Sequence, residues 1–235
     1  MSKIITFTNM TDAKLEHPEP AHKNIPQWYK DTPTYFGDGE KKPIKPDLTT
    51  STIKKCIPVF DAITAGYIIK LATDVYVEPR IEDGESHPYF QWPTLDIIAF
   101  HPIEQAKIHP YNTGHIASYP KFINFWSIKT APGYSSLFIN PLHRDLPFEI
   151  LPGIVDTDIY TEPVNFPFVL KDINFKGIIP AGTPIAQVIP IKRDSWKMKT
   201  GNDIDRINAR STFTKVRSKF FEGYKSFYWN KKEYR

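Results

Sequence analysis

From Tyr67 to Ile191 the chain is a succession of short apolar runs, nearly all bounded by proline or glycine. YIIKLATDVYVEP alternates apolar and polar side chains around Val75 and Val77, the period-two pattern of a half-buried strand, and Pro79 marks its end. LDIIAFHP, FINFWSIKTAPG, SSLFINP, VNFPFVL, GIIPAG and IAQVIPIK continue the series. Strand-length runs so closely spaced predict a mainly β domain over 51–192, a distorted barrel or sandwich. No βαβ alternation appears, which argues against a doubly wound sheet.

The flanks follow other patterns. Residues 1–50 read as a Pro-rich arm whose apolar island, Ile25-Pro26-Gln27-Trp28-Tyr29, forms a single helical turn. STIKKCIPVFDAITAG, at 51–66, reads as a short helix with Ser51 or Thr52 as cap, Pro58 limiting its first half and Gly66 closing it. In the tail, 193–235, Phe213, Val216, Phe220, Tyr224 and Phe227 recur at three- or four-residue steps. That spacing predicts an amphipathic helix capped by Ser211 and weakened by Gly223.

Composition narrows the class. Hydrophobic residues are 40 % of the chain, enough for a core, and 22 prolines leave no room for dominant long helices. The single cysteine, Cys56, excludes an intramolecular disulfide and fits a reducing compartment. No apolar run approaches the ~18 residues of a membrane span, so no membrane partner is expected. Net charge is +4, but 13 Lys and Arg against 5 Asp and Glu fall in 192–235, a local balance of +8, leaving −4 for 1–191.

Three motifs resemble chemistry without completing it. His143-Arg144-Asp145 begins like a kinase catalytic loop, but Ile150 stands where the metal-binding Asn belongs. The same His143 and Asp145 are two legs of an iron triad, yet His143 is the last of the seven histidines. His101, His109 and His115 have no zinc-ligand spacing. The tail combines cations for phosphates with rings that stack on bases, so nucleic acid stays open as a partner. The regular helical spacing of those rings favours the other reading, an aromatic face packed inward.

Two stretches carry a more specific pattern. LPGIVDTDIY, at 151–160, sets Asp156 and Asp158 between a turn glycine and Tyr160, and GIIPAGTPIAQVI sets Gln187 after a second glycine. GIVDTDIY resembles the third motif of the trimeric dUTPases and GIIPAGTPIAQVI their fourth. Tyr134-Ser135-Ser136-Leu137 stands where the second falls in those enzymes and in the related dCTP deaminases. The resemblance implies a dUTPase-like β-barrel, a homo-oligomer (a trimer), and a nucleotide as ligand. By it Asp156 would be the catalytic base, with Ser135, Ser136, Asp158, Tyr160 and Gln187 around the ligand. Mg²⁺ would arrive on the triphosphate.

The chain departs from this pattern in several places. Ile159 lengthens the Asp–Tyr spacing, Tyr134 replaces an arginine, Glu162 replaces a glycine, and the glycine-rich C-terminal arm is missing. Arg144, Lys192 or Arg193 would have to supply the phosphate cation. PQWYKD, KKCIPVFDAITAGYI and GTPIAQVIPIKR also make the chain similar to uncharacterised proteins of tailed phages, which implies the infected cytoplasm or the virion. Two functions follow as alternatives: a protein that binds a nucleotide at a degenerate dUTPase-like site, or a non-catalytic virion structural or protein-interaction module.

Overall fold

The computed structural model describes residues 3–45, 48–82, 84–105, 118–219 and 221–235. His109 and His115 lie outside these, as does Phe220 of the predicted tail stripe. The chain forms two compact units, one of residues 1–21 and 66–193, the other of 22–65 and 194–235.

The first unit is built of antiparallel strands. Its largest sheet runs Gly153–Val155, Tyr134–Ile139, Pro184–Lys192, Tyr67–Lys70 and Glu19–Pro20. A second runs Phe148–Ile150, Phe166–Leu170, Ser118–Phe122 and Ile98–Pro102. A third comprises Gly177–Ile179, Val75–Glu82 and Glu85–Gln91. Thr6–Asn9 pairs with Trp126–Lys129. The mainly β class is as the patterning predicts, but the described residues close no barrel. The largest sheet ends on two short edges, and Pro20 on one of them has no amide proton to extend the ladder.

Alternating residues of these strands meet in one core. Phe122 and Phe168 stack at 4.0 Å between ring centres, and Phe148 sits edge-on to Phe122 at 5.0 Å. Val75, Val77, Ile128, Phe138 and Val188 join the same cluster. Pro79 does not end its strand. It pairs with Pro88 across the hairpin, where two prolines face each other and the ladder continues to Glu82 and Glu85.

Gly66 has φ of +67°, and a Cβ on it would lie 2.0 Å from the Val188 carbonyl oxygen. Only glycine allows that approach.

The second unit carries the α-helices, with one two-stranded sheet, Pro43–Lys45 and Leu48–Thr49. Helices α1 (Gln27–Asp31) and α2 (Ile57–Thr64) meet through Tyr29 and Phe60, whose ring centres lie 6.1 Å apart. Thr52 caps a 3₁₀ turn, Ile53–Lys55, and α2 starts only after Cys56. Pro58 therefore sits in the first turn of α2, where its missing donor costs nothing, and not in the interior of a longer helix.

The tail forms α3 (Asp203–Ser218) and α4 (Gly223–Phe227). Its cap is Asn202, with a reciprocal box to Asp205, and not Ser211, which lies inside α3. The break between the helices has a local cause. Glu222 is left-handed at φ 62°, and a Cβ on Gly223 would lie 2.1 Å from the Val216 carbonyl oxygen.

Candidate functional site

Register brings the candidate residues together. Tyr134–Ile139 pairs with Pro184–Lys192 so that Tyr134 faces Lys192 and Ser135 faces Ile191. On its other side Ser136 faces Val155. Arg193, one residue beyond the strand, donates its amide to the Gly133 carbonyl at 2.9 Å and comes to rest over Ser135. The Asp156–Tyr160 stretch then turns, with the Ile159 and Tyr160 amides both on the Asp156 carbonyl, at 3.1 and 2.9 Å.

Asp158 is the anchor of this turn. It accepts both guanidinium nitrogens of Arg193, Nη1 at 2.8 Å, and the Gly133 amide at 2.8 Å. Its side chain is only 6 % exposed, while the Arg193 side chain that covers it keeps 38 % of its surface in water. The Arg193 hydrogen bonds, then the Gly133 amide, hold the Asp158 carboxyl down at about 2, and Asp158 in turn raises the Arg193 guanidinium.

Asp156 lies beside this pair. Its Oδ1 accepts the Ser135 hydroxyl at 2.6 Å and stands 3.3 Å from Arg193 Nη1. Arg193 Nη1 also reaches Ser135 Oγ and the Tyr134 carbonyl, both at 3.2 Å.

A chain of buried hydroxyls runs beneath. Thr130 Oγ1 donates to the Tyr134 carbonyl at 2.9 Å. Each hydroxyl has one proton, so Thr157 must donate to Thr130, at 2.9 Å, and Ser136 to Thr157, at 2.8 Å. Alternation along the turn explains the arrangement: Asp156 and Asp158 point to Arg193, and Thr157 points inward. Gly133, Thr130 and Thr157 escape a motif search. The buried Thr between two aspartates is the one signal that alternation could have supplied.

The candidates thus divide. Ser135, Asp156 and Asp158 meet at Arg193, and Ser136 lies below them. Tyr160 is 49 % exposed on the outer side of the turn. Gln187 belongs to the other half of its strand. Fully buried opposite Ile139 and Ile68, it accepts the Leu142 amide at 2.9 Å. It lies five positions along the strand from Lys192, on the order of 16 Å from the cluster at ~3.3 Å per residue.

Of the other proposed cations, Lys192 pairs through its backbone with Tyr134, while Arg144 is half-buried in the turn after His143. Burial lowers the Arg144 guanidinium's affinity for its proton. His143 itself is left-handed at φ 56°.

Mg²⁺ would arrive on a triphosphate, and Arg193, the guanidinium at this cluster, already faces two carboxylates. Among the described residues no three His, Cys, Asp or Glu side chains converge on a metal position. No described helix is long and apolar enough to cross a membrane. No protein-family model matches the chain, and no curated protein matches it significantly.

Proposed function

We propose that the protein is a non-catalytic binding module, with a β unit as scaffold, acting in the virion or infected cell to which the tailed-phage resemblance points. One observation carries this reading. The guanidinium nearest the candidate site is held by both oxygens of Asp158 and also contacts Asp156 and Ser135. Groups that would have to bind phosphate oxygens instead satisfy one another. An incoming triphosphate would lose the charge-assisted bonds of Arg193 and meet two carboxylates.

The cluster also has a structural task. It joins Ser135, on one strand of the largest sheet, and Gly133 and Arg193, which flank the ends of that strand and its neighbour, to the Asp156–Tyr160 turn that follows the edge strand. The nucleotide-site reading is weakened further by Gln187, which is taken up by a backbone amide away from the cluster.

The test is a thermal-shift screen against all deoxy- and ribonucleoside triphosphates with Mg²⁺, followed by a pyrophosphate assay. The expected result is a flat melting temperature and no pyrophosphate. Ligand at ~100 Kd would stabilise the native state by about 2.7 kcal/mol. Selective stabilisation by one nucleotide, lost in Asp156→Asn, would overturn the proposal.

A further inference from the structure

The charge asymmetry persists when counted by unit. Residues 22–65 and 194–235 hold 18 Lys and Arg against 10 Asp and Glu, a balance of +8, while 1–21 and 66–193 hold 12 against 16, a balance of −4. Within the basic unit the aromatic rings are not buried as a helical stripe should be. Phe213, Tyr224, Phe227 and Tyr228 are 56, 42, 40 and 37 % exposed, and α3 buries no residue.

The rings are instead interleaved with cations. At ~100° per residue, Arg206, Arg210, Phe213 and Arg217 fall on one stripe of α3 about 60° wide. The Arg217 guanidinium lies 4.1 Å from the Phe213 ring centre. Lys215 Nζ lies 5.2 Å from the Phe227 centre and 5.7 Å from that of Tyr228. Before α3, Trp196 and Met198 are 91 and 93 % exposed and alternate with Lys197 and Lys199.

The same unit holds a cavity of about 450 Å³ lined in part by Phe60, Trp229, Tyr234, Lys231, Lys232 and Arg235. Asp61, also in its lining, fixes the Trp229 ring by accepting from Nε1 at 3.0 Å and holds Lys232 at 2.7 Å.

We propose that this unit binds single-stranded nucleic acid, with Trp196 and Phe213 stacking on bases and Arg206, Arg210 and Arg217 on phosphates. Stacking needs rings with an open face, and backbone tracking needs cations between them. A protein-docking helix would gather its apolar residues into one patch, whereas Ile204 and Ile207 lie on a different side of α3 from Phe213. This rests on the reading of the chain as a binding module, but the two fail separately. Nucleotide turnover sinks that reading, and a missing oligonucleotide complex sinks this one.

The test is fluorescence anisotropy of the full chain with labelled oligo-dT and oligo-rU of about 20 nucleotides, across about 50–300 mM salt. Binding of either supports the proposal, and the stronger arm names the sugar. With three phosphates neutralised, log Kobs should fall against log salt with a slope of about −2. Arg206→Ala, Arg210→Ala and Arg217→Ala together should flatten that slope by about 2. Trp196→Ala, in an exposed irregular segment where folding is not at stake, should weaken binding about 5- to 150-fold. No complex at about 50 mM salt overturns the proposal. So does binding that is indifferent to Trp196→Ala, which would be plain polyanion attraction. Self-association abolished by the triple arginine variant, without oligonucleotide binding, would also overturn it and place the surface between copies.

Discussion

Thr157→Val tests the hydroxyl chain under the Arg193 cluster. Valine keeps the shape of threonine, so packing around this 1 % exposed side chain should hold. What disappears is the acceptor for Ser136 and the donor to Thr130. Ser136, wholly buried, is then left with a proton and no acceptor, at about 1–3 kcal/mol. The lost bond to Thr130 adds about 1 kcal/mol. Thr130 still donates to the Tyr134 carbonyl, so the expected loss is about 2–4 kcal/mol.

Adding Ser136→Ala removes the stranded hydroxyl. The double variant should therefore be more stable than Thr157→Val alone, by about 1 kcal/mol. Urea unfolding followed by tryptophan fluorescence measures Thr157→Val, Ser136→Ala and the double variant. A loss under about 0.5 kcal/mol for Thr157→Val, or effects that simply add, would refute the assigned proton order.

Two other outcomes follow from the same geometry. Because the Asp158 carboxyl is held down at about 2, its contribution to stability is intact above its ordinary unfolded value near 4 and is lost as pH falls from there toward about 2. Urea midpoints between about pH 2 and 5 should lose that segment of their pH dependence in Asp158→Asn, and an unchanged profile would contradict the brace. Gly66→Ala should cost well over the ~1–2 kcal/mol of left-handed strain, because the Val188 carbonyl must also move, whereas Gly133→Ala, with nothing near its Cβ, should cost the strain alone. Equal losses in the two, measured by urea unfolding, would show that the close approach at Gly66 does not matter.

Local signals were legible where the cause is local. Thr52 caps, Gly66 turns the chain left-handed, and SSLFINP, VNFPFVL and IAQVIPIK contain strands because each is a short apolar run of strand length. Proline misled in two ways. Pro58 looks like an interior helix breaker until the preceding 3₁₀ turn is known, and Pro79 looks like a strand end until Pro88 is found opposite it.

The site was half legible. Asp156 and Asp158 stand out in the turn, and Arg193 is one of three cations, with Arg144 and Lys192, that the sequence offers beside them. Its position over Ser135 depends on the Tyr134↔Lys192 register, a pairing across 58 residues that no local pattern reports. Gln187 shows the converse. Placed with the site by motif order, it lies too far along its strand to share it, and its amide serves the Leu142 loop. The tail's aromatic spacing predicted burial, but α3 buries no residue and the rings emerge exposed.

The most direct measurement of the central claim is the thermal melt of Arg193→Ala with and without each nucleoside triphosphate and Mg²⁺. If Arg193 is a brace, the variant melts several degrees lower and no nucleotide moves either protein. A variant with unchanged melting that abolishes a nucleotide-dependent shift of the parent would make Arg193 a phosphate ligand and contradict the account.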